Sequence, residues 1–130
     1  MTELSQHREQ VEREHEMLAD LASQIRSSSG RSDFRTAARL LVELQALEEA
    51  HYAAEEAALR DSGSSMPEKH RIQHAGLLDV LRSINHDIRS GDSRTVSPLI
   101  AAHLEAALAH MHEEDRALWA GIVPTLVAHP

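Results

Sequence analysis

Two short stretches place metal-binding side chains one helical turn apart: His51-Tyr-Ala-Ala-Glu55 and His70-Arg-Ile-Gln-His74. Residues at i and i+4 share a helix face with Cβ atoms about 6 Å apart, so each pair can grip one or two metal ions. A third stretch, Ala109-His110-Met111-His112-Glu113-Glu114-Asp115, puts two histidines and three acids into an Ala/Leu-rich run. On a helix, His110, Glu114 and Asp115 fall on the arc that also carries Ala107, Met111, Leu118 and Ile122. That arc faces a core, and buried ionisable groups persist there only when paired, protonated or bound to a metal. His15 adds another imidazole in an apolar stripe near the amino terminus. The candidate ligands are therefore His15, His51, Glu55, His70, His74, His110 and Asp115. The chain has no cysteine, so a metal must be held by N and O donors. Imidazole plus carboxylate suits iron, manganese or zinc, and bridging carboxylates suit a pair of metals.

The apolar spacing predicts the elements that carry these ligands. Leu4, Val11, His15, Leu18, Ala22 and Ile25 form one stripe of a helix over about 3–28. Gly30 is the expected left-handed cap of that helix and Ser32 the N-cap of the next. Leu40, Leu44, Leu47, His51, Ala54 and Ala58 define a second helix over 33–61. Ser62-Gly63-Ser64-Ser65 then turns the chain, with Pro67 in the opening turn of a third helix over 67–90. Its stripe is His70, His74, Leu77, Leu81, Ile84 and Ile88. Ser97-Pro98 has the form of an N-cap followed by an N1 proline, which starts a fourth helix over 98–121, and a short tail from Val123 covers one end. Four helices joined by short connections predict an all-α, antiparallel, up-down-up-down four-helix bundle forming a single domain over 1–130. In such a bundle all seven ligands come to a similar level.

Composition narrows the function classes. Apolar content is 42%, drawn almost wholly from Ala, Leu, Ile, Val and Met, with one Phe, one Tyr and one Trp, which favours helix over sheet. A formal charge of -8 argues against nucleic acid and anionic membranes as partners, since both need a basic footprint. The segment from Met1 to Val11 is polar, and no apolar run approaches the roughly 20 residues of a membrane span. A soluble cytoplasmic protein is expected.

A histidine on the first helix, HxxxE on the second, HxxxH on the third and HxxxxD on the fourth resembles the hemerythrin family of O2-binding, non-haem di-iron four-helix bundles. The likeness runs from the Glu-His-Glu-Met-Leu context of His15 to Asp115-Arg-Ala-Leu. The resemblance implies that His70, His74 and His110 hold one iron and His15 and His51 the other. Glu55 and Asp115 would bridge the two together with an oxo or hydroxo group. It further implies an open position on the two-histidine iron, where O2 binds and leaves. The alternative is an enzyme consuming peroxide or nitric oxide at the same pair.

Several residues depart from that pattern or compete with it. Bacterial relatives carry Trp-Leu four and three residues before the fourth-helix histidine; this chain has Ala106-Ala107, which implies a wider and wetter pocket. Glu114 competes with Asp115 as the bridge, the following Arg-Ala-Leu favouring Asp115. On an α-helix His110 and Asp115 lie about 140° apart and straddle the stripe. Glu12-Arg-Glu-His15 and Glu48-Glu-Ala-His51 both read as the Glu-x-x-His of ferritin-like bundles, but they fall on the first and second helices rather than the second and fourth. His103, two turns before His110, is either a histidine bonded to a carbonyl or water or a donor to a metal-bound ligand. Tyr52 packs between helices with its hydroxyl bonded. His7, His86, His112, Glu113 and His129 belong to the solvent face.

Overall fold

In the computed structural model of the chain, residues 3–61, 63, 66–91 and 93–115 are described, with the side chains of 9, 10, 12–61, 63, 66–91, 96–111 and 113. They form α1 (Glu3–Gly30), α2 (Phe34–Asp61), α3 (Glu68–Arg89) and α4 (Ser93–Ala109), and α4 runs into a π-helical turn over His110–Asp115. Each helix packs on the next and α1 returns against α4. With connections of a few residues, neighbours must run antiparallel, and the result is the expected all-α four-helix bundle. Among the described residues no helix is long and apolar enough to cross a membrane.

The core divides along the bundle axis. Ile25 from α1, Leu40, Leu41 and Leu44 from α2, Leu81 and Ile84 from α3, and Val96, Ile100 and Leu104 from α4 form an aliphatic cluster. These positions lie late in α1 and α3 and early in α2 and α4, so antiparallel packing gathers them at one end. The opposite end, late in α2 and early in α3, receives the histidines. Asn85 is buried in the aliphatic half and ties α3 to α2, its Nδ2 donating to Leu41 O at 3.3 Å and Gln45 Oε1 at 2.8 Å.

Several helix ends differ from the expected ones, and at the α1–α2 junction the reason is that side chains found partners that local pattern does not reveal. The first helix does not stop at the serine run. Ser28 Oγ donates to Gln24 O at 3.0 Å and Ser29 Oγ meets Ser97 Oγ at 3.0 Å, so the serines stay helical and buried. The cap follows: Asp33 N bonds Ser28 O at 2.8 Å and Ser32 N bonds Ser29 O at 3.0 Å, a Schellman pattern with the left-handed residue at Ser32 (φ 59°) rather than Gly30. Asp33, not Ser32, caps α2, its Oδ1 accepting from Thr36 N at 3.3 Å. Hydrogen bonds from Thr36, the side chain first and then the backbone N–H, hold the Asp33 carboxyl below its ordinary value. Pro67, expected within the first turn of α3, stands one residue before it, with φ -56° and ψ 138°.

The fourth helix starts at Ser93, and Pro98 lies inside it rather than at N1. Val96, with 0% of its surface exposed, is drawn into the core and carries the preceding turn with it, while Ser97 spends its hydroxyl on Ser29 instead of capping. The proline then costs only one backbone bond near the helix start. The expected α-helical continuation to residue 121 gives way to the π turn at His110, and residues 116–130, including the tail from Val123, lie outside the described residues.

Adjacent residues on α2 test this core. Leu41 is fully buried and Val42 is 54% exposed. Leu41→Ala should destabilise the protein by about 2–5 kcal/mol, and Val42→Ala by no more than about 0.5 kcal/mol. Equal shifts in guanidinium denaturation would contradict the assignment of the two faces.

Candidate metal centre

Helix α2 carries Glu48, His51, Tyr52 and Glu55 at i, i+3, i+4 and i+7, one stripe of a helix, and all four are buried. Helix α3 brings His70 and His74 from successive turns, and the α4–π segment brings His103 and His110. Helix α1 adds Glu14 and His15 at the edge.

The Glu55 carboxylate sits at the middle of this group with no exposed surface. Its Oε1 is 2.6 Å from His70 Nε2 and 3.8 Å from His74 Nε2. Its Oε2 faces the other way, 3.5 Å from His51 Nε2, and makes no hydrogen bond among the described residues. On the Oε1 side, the rings of His70, His74 and His110 lie 4.4–4.9 Å apart, centre to centre. One donor atom from each falls within 4.8 Å of the others. On the Oε2 side, His15 packs edge-on against His51 at 5.0 Å. Three buried imidazole nitrogens converging beside a carboxylate oxygen fit a metal ion by donor type and by spacing.

The structure brings His51, Glu55, His70, His74 and His110 together. His15 reaches the same place from a half-buried position rather than a core slot. For Asp115 and Glu114 only the backbone is described, so the choice of second carboxylate lies outside the described side chains. The π turn does change the register: pairing i with i+5 returns positions 110 and 115 to nearly one face, instead of the 140° separation of an α-helix. His86 and Glu113 are exposed, as expected; the side chains of His7, His112 and His129 are outside the described ones.

Two acids were missed. Glu14 Oε2 lies 2.7 Å from His51 Nδ1, so a carboxylate holds the ring nitrogen of His51 that points away from Glu55. Glu48, with 0% exposure, receives the Tyr52 hydroxyl on Oε1 at 3.1 Å, and its Oε2 is 3.0 Å from His103 Nε2. His103 thus meets a carboxylate, where the sequence left open a carbonyl, a water or a metal-bound ligand. Both acids were legible in principle. Glu14 is three residues after Val11 and four before Leu18, and Glu48 is four after Leu44 and three before His51, so each occupies a slot of the apolar stripe. Between Tyr52, Glu48 and the wall formed by Leu18, Leu44, Ala107 and Met111 lies a cavity of about 10 Å³, room for roughly one water-sized molecule. Ala107, Leu108 and Met111 all line it.

The hydrogen bond from His51 holds the Glu14 carboxyl below its ordinary value of 4.5, outweighing the burial that raises it. A depressed carboxyl stabilises the fold above its unfolded value and loses that contribution as pH falls through the lower folded one. In metal-free protein, the stability difference between wild type and Glu14→Gln should therefore be full at pH 6 and shrink below about pH 4.5. Denaturation curves at several pH values measure it, and a pH-independent difference would remove Glu14 from the pairing.

Comparison with known proteins agrees with this geometry. No curated protein and no solved structure matches the chain. Residues 6–120 match the Hemerythrin HHE cation binding domain, a span that contains every described ligand above. The chain belongs to the hemerythrin family and carries its metal-binding domain.

Proposed function

We propose that the domain holds two non-haem iron ions joined by an oxo or hydroxo bridge and binds O2 there, in a cytoplasmic protein that stores or senses the gas. The observation that carries this reading is the division of the Glu55 carboxylate: Oε1 faces His70 and His74, and Oε2 faces His51. A carboxylate aimed at two separate imidazole groups has the geometry of a bridge between two metals. His70, His74 and His110 would hold one ion, and His15 and His51 the other, with Asp115 as second bridge. Iron supplies the electrons that O2 needs to bind. The protein supplies position and dryness: Glu14 orients His51, the bundle excludes bulk solvent from Glu55, and Leu18, Leu44, Leu104 and Met111 give the adjoining cavity apolar walls.

A second reading is favoured by one feature. The cavity wall beside the cluster includes Tyr52 and Glu48, polar groups suited to a hydrogen-bonding ligand such as peroxide. An enzyme that consumes peroxide or nitric oxide would use the same metals and show sustained turnover.

Ferrous protein prepared under nitrogen should contain two irons per chain, develop a visible absorption band in air, and lose it on deoxygenation. A band that never forms or never reverses rules out O2 carriage, and continuous peroxide consumption selects the second reading. Asp115→Ala should abolish the iron pair while Glu114→Ala retains it; the reverse result would make Glu114 the bridge.

A further inference from the structure

Three polar groups outside the ligand set are buried next to it: Glu48 at 0%, His103 at 3% and Tyr52 at 6% exposure. Groups of this kind are expensive to bury, and well-packed hydrocarbon in their place is often neutral or stabilising. Their arrangement is a chain of contacts across three helices. His103 on α4 sets its Nε2 3.0 Å from Glu48 Oε2 on α2. Its Nδ1 makes no hydrogen bond among the described residues, so an N–H on Nε2 satisfies the pair. Glu48 Oε1 accepts the Tyr52 hydroxyl at 3.1 Å. The Tyr52 ring then lies flat on His74 of α3, with centres 3.9 Å apart and planes within 15°.

The stack matters because of how imidazole binds a metal. The donor lone pair lies in the ring plane, so the plane of His74 decides where its nitrogen aims. Rotation about the bond that carries a histidine ring meets broad, shallow wells, and the fold needs another contact to select one orientation. The His70 and His110 rings meet His74 edge-on at 4.4 and 4.9 Å; Tyr52 is the contact on its face, and a tyrosine free at its hydroxyl end would be a loose one. We propose that Glu48 and His103 are positioning residues for the metal centre: they anchor the Tyr52 hydroxyl, and Tyr52 holds the His74 ring plane in its ligating orientation. The proposal rests on the metal-binding reading of His70, His74 and His110. Glu48 and His103 act on the site through Tyr52, whose ring is the one that meets His74. Outer groups that orient a histidine ligand typically alter metal affinity 10- to 100-fold when removed.

The test uses Tyr52→Phe, Glu48→Leu and Glu48→Gln in the full chain, with anaerobic ferrous iron titrated for affinity and Co(II) as a spectroscopic probe of ligand geometry. Tyr52→Phe retains the ring and loses only the anchor. It and Glu48→Leu should bind ferrous iron 10- to 100-fold more weakly than wild type and shift the Co(II) ligand-field bands. Glu48→Gln, whose amide oxygen can still accept from Tyr52 and whose amide N–H can donate to His103 Nε2 once that ring carries its proton on Nδ1, should restore affinity to within about threefold of wild type. Wild-type affinity and an unchanged Co(II) spectrum in Tyr52→Phe and Glu48→Leu would overturn the proposal. If Glu48→Leu does not fold, Tyr52→Phe decides alone. A Glu48→Gln variant as weak as Glu48→Leu would overturn the positional account in favour of charge. Wild-type protein that takes up no ferrous iron would overturn the metal-binding reading itself, an outcome distinct from equal binding by all variants.

Discussion

A carboxylate without solvent has to be answered by positive charge, and the burial of Glu55 is the constraint on which this bundle turns. Water would solvate the group at no cost; inside the helices every oxygen lone pair needs a donor or a cation. His70 answers one oxygen at 2.6 Å and His51 approaches the other at 3.5 Å. The surrounding imidazoles bring nitrogen ligands to the same place, and a metal ion would satisfy acid and bases together. Much of the hydrogen bonding at this end of the molecule serves to aim the groups that meet Glu55.

Placing such a cluster in a protein of 130 residues leaves little hydrocarbon for stability, and the chain separates the two tasks along its axis. Ile25, Leu41, Leu44, Leu81, Ile84 and Ile100 close the bundle at the end where α1 meets α2 and α3 meets α4. Their burial is unconditional and supplies the driving force for folding. The other end is polar and gains its full stabilisation only when its charges are balanced. Antiparallel connectivity makes this division simple to encode, since each helix needs an apolar half and a ligand-bearing half in alternating order.

The π turn at His110–Asp115 belongs to the same logic. An α-helix repeats every 3.6 residues and cannot return positions five apart to one face. Widening the last turn does so, at the cost of poorer local packing, and such turns concentrate at functional sites. Nothing in the composition of this stretch demands the wider turn. Its Met, His and acidic residues are compatible with an ordinary α-helix.

Periodicity in the sequence determined the four helices, the inward direction of His51, Glu55, His70, His74 and His110, and the antiparallel bundle that brings them level. These follow from intrahelical geometry and short connections, both local in the chain. The family resemblance rested on the same residues. Tertiary structure alone decided the rest. Ser97 bonds Ser29 across 68 positions and so abandons the cap its Ser-Pro pattern suggests. Ser32, rather than Gly30, takes the left-handed turn because the serines before it found buried partners. Glu14 and Glu48 occupied apolar stripes in plain view, yet only the approach of His51, Tyr52 and His103 shows why acids stand there. A helix face is written in spacing, but the partner of a buried polar group comes from another helix, and no local pattern records which one it will be.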